Sequence, residues 1–210
     1  MTDWGHYAKV FTAIFVIVNP LGAIPLFLSL TADRSIRERH HIPRITALSV
    51  AIVLAVACLA GDTILGFFGI SIASFRVGGG ILILLMAVAM MNASTVAAKH
   101  TPEEAAEAAD RQSAAVVPLA IPILAGPGAI STVIIYSHQA TDWLGVALII
   151  VSCIFVALAV WAALRMATPL STMLGRTGIN IVTRLMGLLL AAISVEFIVD
   201  GLRQLLPGLS

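Results

Sequence analysis

The stretch NPLGAIPLF, residues 19–27, interrupts a long apolar run of the chain. Proline lacks a backbone donor and crowds the preceding turn, so two prolines and a glycine here disfavour a regular α-helix. The surrounding composition defines the setting. Of 210 residues, 60% are hydrophobic and 11% are charged, whereas globular proteins average about 45–50% and about 25%. The chain is therefore predicted to be an integral membrane protein.

Hydropathy and the placement of charges divide the chain into six apolar spans. A bilayer core of about 30 Å needs about 20 apolar helical residues. No small-residue cleavage pattern follows the first span, so we interpret it as a true span and not as a signal peptide. The prediction is one all-α transmembrane domain over residues 1–210. Its six helices are predicted at residues 8–30, 45–67, 72–92, 116–137, 143–165 and 181–203.

The positive charges are distributed unevenly between the two sides of the predicted bundle. The first, third and fifth loops hold most of the lysines and arginines, and the other side holds only Lys9, Arg76 and Arg203. The positive-inside rule then places these three loops in the cytoplasm and both termini outside. The net charge is only +1, which gives no support for a nucleic-acid partner.

Three sequence matches at similar spacing indicate an internal repeat. LGFFGISI at 65–72 recurs as LGRTGINI at 174–181, and GAI at 22–24 recurs at 128–130. Arg76 with Gly79 recurs as Arg184 with Gly187, and Asn92 also corresponds to Asp200 at a similar spacing. Each match is weak alone, but their near-constant offset across the chain favours a duplication.

Each predicted repeat contains three spans, so the second copy must enter the membrane from the opposite side. Repeat one covers about 8–92, a cytoplasmic linker covers about 93–115, and repeat two covers about 116–203. Inverted repeats of this kind are typical of secondary transporters, whose binding sites lie near the bilayer midplane. The alternative is that the duplication produced a six-helix bundle without a transport role.

The proline-glycine stretches fall at matching depths. If Lys9 marks the outer interface, Asn19 lies about 15 Å deeper along a helix. The matching stretch IPILAGPGAIST, residues 121–132, starts about as far from the cytoplasmic interface. The first and fourth helices are therefore predicted to be broken at the midplane, although paired proline kinks could also serve only to shape the bundle.

Backbone groups released at two such breaks could bind a small zwitterion. Half-helices restarting at GAI would present N–H groups and a positive dipole end to a carboxylate. Carbonyl groups and the Asn19 amide would suit an ammonium group or a coupling ion. The candidate substrate-binding residues are Asn19, Pro20, Gly22, Ala23, Gly126, Gly128 and Ala129.

Ionisable groups inside a membrane are candidate functional groups because burying them is costly. Glu196 is the deepest carboxylate, and we assign ion or proton coupling to Glu196, Asp200 and Asn92. Alternatively, Glu196 pairs with Arg203 or with another helix only to hold the bundle together. The sequence contains no nucleophile motif, phosphate-binding loop or zinc spacing, so we expect no enzyme activity, no metal site and no cofactor.

Three motifs resemble those of the MarC family of bacterial inner-membrane proteins. They are VNPLGAIPLFLSLT at 18–31, PLAIPILAGPGAIST at 118–132 and RLMGLLLAAISVEFIVDGL at 184–202. The resemblance implies six transmembrane helices in the bacterial cytoplasmic membrane and kinship with transporters of small neutral amino acids. It also implies that Asn19 to Pro25 and Gly126 to Ile130 form the centre of the transport path.

The sequence thus favours a secondary transporter of small neutral amino acids or similar zwitterions that works by alternating access. Its partners would be the substrate, the lipid bilayer and a coupling proton or sodium ion. One alternative is an exporter of metabolites or toxic compounds on the same scaffold. Another is a non-transporting scaffold or sensor that acts through the basic first loop and the acidic third loop.

Overall fold

A computed structural model describes residues 4–31, 34–92, 124–140, 142–206 and 208. Within these ranges the secondary structure is helical, with seven helices along the chain. In chain order they are α1 (Trp4–Val18), α2 (Ile24–Leu30), α3 (Ile36–Phe67), α4 (Ile72–Met91), α5 (Pro127–Gln139), α6 (Trp143–Arg165) and α7 (Ala167–Leu205). The predicted linker at 93–115 and the first part of the predicted fourth span lie outside the described residues.

Four of these helices are long and apolar enough to cross a membrane. Helices α4 and α6 match the third and fifth predicted spans almost residue for residue. Helix α3 begins nine residues before the predicted second span, because Ser35 and Glu38 form a capping box at its start. Hydropathy does not detect such a polar first turn, so the predicted boundary was too late.

The predicted sixth span is part of the longer helical segment α7. Gly175 interrupts α7 with φ 61° and ψ 179°, a backbone conformation that glycine adopts readily because it has no Cβ. The apolar part suited to a membrane runs from Thr177 to Leu205. The residues before Gly175 form a separate helical segment that follows directly after α6.

The predicted first span is broken, as the sequence indicated. Helix α1 ends at Val18, and α2 begins at Ile24. Residue Asn19 between them has φ 49°, in the left-handed region where asparagine is the commonest residue after glycine. On the predicted fourth span, α5 begins at Pro127.

Glycines bring α4 and α7 close together. A Cβ added at Gly80 would lie 3.0 Å from the Ser194 carbonyl oxygen, and one at Gly201 would lie 2.8 Å from that of Ala73. Such distances leave no room for larger residues, as in small-residue packing between membrane helices. Helices α4 and α7 therefore form a closely packed pair within the bundle.

The other helices pack around this pair with apolar contacts. Helix α3 packs on α5 and α6, α4 packs on α5, and α1 packs on α5, α6 and α7. The largest fully buried side chains include Ile14, Ile17, Leu54, Ile83 and Leu190. Many large apolar side chains on the outside of α3, α4, α6 and α7 are exposed, which suits a surface in contact with lipid. The fold is a multi-pass integral membrane protein.

Contacts between helix ends define two ends of the bundle. Arg76 near the start of α4 pairs with Asp200 near the end of α7. Tyr136 near the end of α5 contacts Phe197 of α7 and His6 of α1. We call this the Arg76 end. The opposite, Arg34 end carries the connection from α2 to α3 and the end of α6.

Candidate functional site

The first break is closed by its own asparagine. The Asn19 side chain is buried, and its Oδ1 accepts a hydrogen bond of 3.2 Å from the Gly22 backbone N–H. The Asn19 backbone N–H donates to the Phe15 carbonyl at 2.9 Å, which completes the last turn of α1. One short polar side chain thus satisfies a backbone donor that Pro20 and Gly22 leave outside a helix.

The predicted second break is described only from Leu124 onward, where residues 124–126 are non-helical and α5 begins at Pro127. Gly126 is the N-cap of α5 in an extended conformation, Pro127 occupies the first helical position, and no side chain caps this helix start. Gly126, Gly128 and Ala129 are all buried. Pro127 is exposed, so only the Gly128 and Ala129 side of the α5 start, at the positive end of the helix dipole, lies inside the bundle.

The structure brings the two breaks together. A Cβ added at Gly128 would lie 3.5 Å from Ile17 Cγ2, two residues before Asn19. Ala23 of the first break and Leu124 of the second line one small cavity of about 10 Å³. A site for one water needs about this volume, so this cavity is too small for an amino acid in this conformation.

The residues predicted to couple ions do not lie together. Glu196 and Asp200 are exposed on α7 at the Arg76 end. Asn92 is exposed at the end of α4, 16 residues after Arg76 and therefore about 24 Å away along the helix. Within the described part of the chain, no ion pair joins Glu196 to Arg203.

Arg76 is a buried charge that sequence reasoning had counted only as an outer-side loop charge. Its side chain is 6% exposed, and its Nη1 lies 3.8 Å from Asp200 Oδ2, beyond hydrogen-bond distance. Its Nε has no hydrogen-bond partner among the described residues. Burial of a charge costs about several kcal/mol unless it is well paired. The sequence signal was the position of Arg76 one turn inside an apolar helix.

Aromatic and acidic groups surround Arg76 at this end. Tyr136 packs edge-on against Phe197, with ring centroids 5.9 Å apart. The Arg76 end thus combines one buried cation with two exposed carboxylates and an aromatic wall.

A second ion pair lies at the same end. His138 Nδ1 of α5 lies 3.0 Å from Asp62 Oδ1 of α3, and both side chains are about half exposed. An exposed pair of this kind contributes little to stability. Among the described residues, no group of three His, Cys, Asp or Glu side chains could hold a metal ion.

Comparisons with known proteins relate the chain to one family over nearly its whole length. The family described as "MarC family integral membrane protein" matches residues 4–206. The UPF0056 membrane protein YhcE of Escherichia coli (strain K12) is 43% identical over 99% of this chain and 96% of its own length. The UPF0056 membrane protein MJ1677 of Methanocaldococcus jannaschii is 38% identical over 96% of this chain and 98% of its own length. No solved structure matches.

Proposed function

The chain belongs to the MarC family of integral membrane proteins, and we propose that it is a secondary transporter of small neutral amino acids or similar small zwitterions. The observation that carries this proposal is the small cavity that Ala23 and Leu124, from two non-helical stretches, line together. Irregular backbone at membrane depth is tolerated where it is buried in protein or lines a water-filled cavity. Binding sites of secondary transporters are built from such discontinuous helices.

In this proposal the substrate carboxylate binds at the start of α5. The N–H groups of Gly128 and Ala129 belong to a buried helix start without a side-chain cap, which suits an anion. At the first break, the Gly22 N–H donates to Asn19 Oδ1. A second carboxylate contact with Gly22 or Ala23 therefore requires the Asn19 side chain to turn away, and its amide then faces the ammonium group.

We place the two breaks in an inverted repeat, with both termini outside a bacterial cytoplasmic membrane. In the predicted repeat, α6 corresponds to α3, α7 to α4, and α5 to the first span with α1 and α2. Helix packing supports this arrangement, because α3 packs on α5 and α6 packs on α1. Likewise, α4 packs on α5 as α7 packs on α1 and α2. Alternating access would then open the cavity between the breaks first to one side and then to the other. The small volume of the cavity fits a state without substrate.

Arg76 supplies a first contact for the carboxylate on its way to the breaks. Among the described residues, its guanidinium has an unused Nε and one long contact, with Asp200, so a carboxylate could bind two of its nitrogens at once. Gly128 packs against Ile83, seven residues and about 10 Å along α4 from Arg76. In this scheme Asp200 is the counter-ion that the substrate replaces, and Glu196 exchanges the coupling proton.

The experiment is uptake and counterflow of radiolabelled glycine, alanine and serine in proteoliposomes that contain the purified full-length chain. The flux of each amino acid is measured with no gradient, with a proton gradient and with a sodium gradient. Saturable uptake driven by one gradient, together with counterflow from preloaded vesicles, is the expected result. Absence of flux and of counterflow, in vesicles whose protein is folded and incorporated, would overturn the proposal.

A further inference from the structure

A basic cavity lies at the Arg34 end, opposite the Arg76 end. Its volume is about 590 Å³, within the usual range for small-molecule sites of about 300–1,000 Å³. Residues of the first turns of α3 form most of the wall, and Arg165 at the end of α6 completes it. The lining residues are Arg34, Arg37, Glu38, His40, His41, Ile42, Arg44 and Arg165.

The charge of this cavity is not neutralised by its own carboxylate. Among the described lining residues, four arginines face one glutamate, Glu38. The Glu38 carboxylate already accepts from the Ser35 N–H and hydroxyl at 3.0 Å and 2.7 Å, and it lies 3.5 Å from Arg34 Nη1. Arg37, Arg44 and Arg165 are exposed, and their guanidinium groups suit the oxygens of a phosphate.

Two apolar faces lead away from this cavity. On α3, the exposed residues Arg37, His41 and Arg44 continue at helical spacing into an exposed apolar stripe. The stripe consists of Leu48, Ile52, Val56 and Leu59, each more than half exposed.

Helix α6, which packs on α3, repeats the pattern in the opposite chain direction. Arg165 is followed at helical spacing by Trp161, Leu158, Ile154 and Val151, and all four are exposed. A tryptophan one turn from an arginine is typical of the level at which hydrocarbon meets headgroups. The cations therefore lie where two lipid-facing stripes end.

We propose that the Arg34-end cavity binds the phosphate of an anionic phospholipid, whose acyl chains lie along the apolar stripes of α3 and α6. The charge excess selects a headgroup with net negative charge, and the stripes select a lipid over a soluble phosphate ester. Basic pockets between helices at one side of a membrane protein recognise anionic headgroups in this way. This inference does not depend on the transport proposal.

The test measures lipid binding to the purified full-length chain in a neutral detergent by native mass spectrometry. Phosphatidylglycerol and phosphatidylcholine of identical acyl chains are compared, and glycerol 3-phosphate and inorganic phosphate serve as chain-free phosphates. We expect phosphatidylglycerol to bind about tenfold more tightly than phosphatidylcholine. The chain-free phosphates should bind at least tenfold more weakly than phosphatidylglycerol.

The variant Arg37→Gln/Arg44→Gln should lose most of the preference for phosphatidylglycerol, since each cation near an anionic headgroup contributes to its attraction. The matched control Lys9→Gln/Arg203→Gln removes two positive charges at the other end and should keep it. Arg165→Gln, on a different helix, tests the same cavity if the double variant does not elute as a folded protein. Three results would overturn the proposal. The wild-type chain could bind the two lipids equally, the control variant could lose the preference for phosphatidylglycerol to the same extent, or glycerol 3-phosphate could bind as tightly as phosphatidylglycerol.

Discussion

The two helix breaks carry the same GAI motif but differ in how their backbone donors are used. At the first break, the Asn19 side chain accepts from the Gly22 N–H, and only the seven-residue α2 follows. At the second, no side chain caps the start of the 13-residue α5. A longer helix with an uncapped, buried start is the better anion site. The same GAI motif is therefore found with its first backbone N–H donor capped by a side chain at one break and with no side-chain cap at the other.

The largest effect is expected from Gly128→Leu at the second break. A Cβ at Gly128 would already lie 3.2 Å from Met86 Sδ and 3.3 Å from Ile83 Cγ1, so a leucine would fill the path to the α5 amides. Glycine uptake per folded molecule should fall at least tenfold. Gly78→Leu is the control, because nothing lies within 4 Å of a Cβ at Gly78. Normal uptake by Gly128→Leu would contradict the assignment of the second break as the carboxylate site.

Asn19 substitutions separate backbone strain from hydrogen bonding at the first break. Asn19→Ala forces alanine to adopt φ 49° and leaves the Gly22 N–H without its acceptor. Together these changes should lower the free energy of unfolding by about 2–3 kcal/mol. Asn19→Gly removes only the acceptor and should cost about 1 kcal/mol less. Unfolding in mixed micelles measures the free energy of unfolding of both variants. An equal decrease in the two variants would show that the left-handed conformation adds no strain.

Gly22→Ala and Gly128→Ala compare the room available at the two breaks. A Cβ at Gly22 would overlap the Asn19 side chain, so alanine must displace the amide and break its hydrogen bond, at a cost of about 1–2 kcal/mol. At Gly128 the nearest atom belongs to the flexible Met86 side chain, and the cost should be smaller. Thermal unfolding of the two variants in one detergent gives the order. The reverse order would show that the first break is the looser one.

The smallest effect is expected from Thr132→Val, just inside α5. The Thr132 hydroxyl donates to the Gly128 carbonyl at 2.8 Å, an oxygen that also belongs to the helical hydrogen-bond pattern of α5. Loss of this second bond should cost less than about 1 kcal/mol and leave glycine uptake unchanged. A large fall in uptake, with unfolding unaltered, would place the Thr132 hydroxyl in the substrate path.

Local sequence signals predicted the features that depend on neighbours in the chain. The break at Asn19 follows from Pro20 and Gly22, and the third and fifth spans follow from uninterrupted hydropathy. The start of α3 was predicted nine residues too late, because hydropathy averages over a window and does not register a capped polar turn. The helical segment before Gly175 was not predicted, because residues 166–180 fall between two apolar spans and a more polar helix gives no hydropathy signal.

Apolar length and proline geometry act locally, so the amino-acid order was enough to predict a multi-pass membrane protein of the MarC family with a broken first helix. Helix packing was needed to show which donors are capped, that Ala23 and Leu124 line one cavity, and that Arg76 is buried beside Asp200. The cause is distance along the chain. Residues 124 positions apart become neighbours through helix packing, and no local pattern encodes which helix face will meet which.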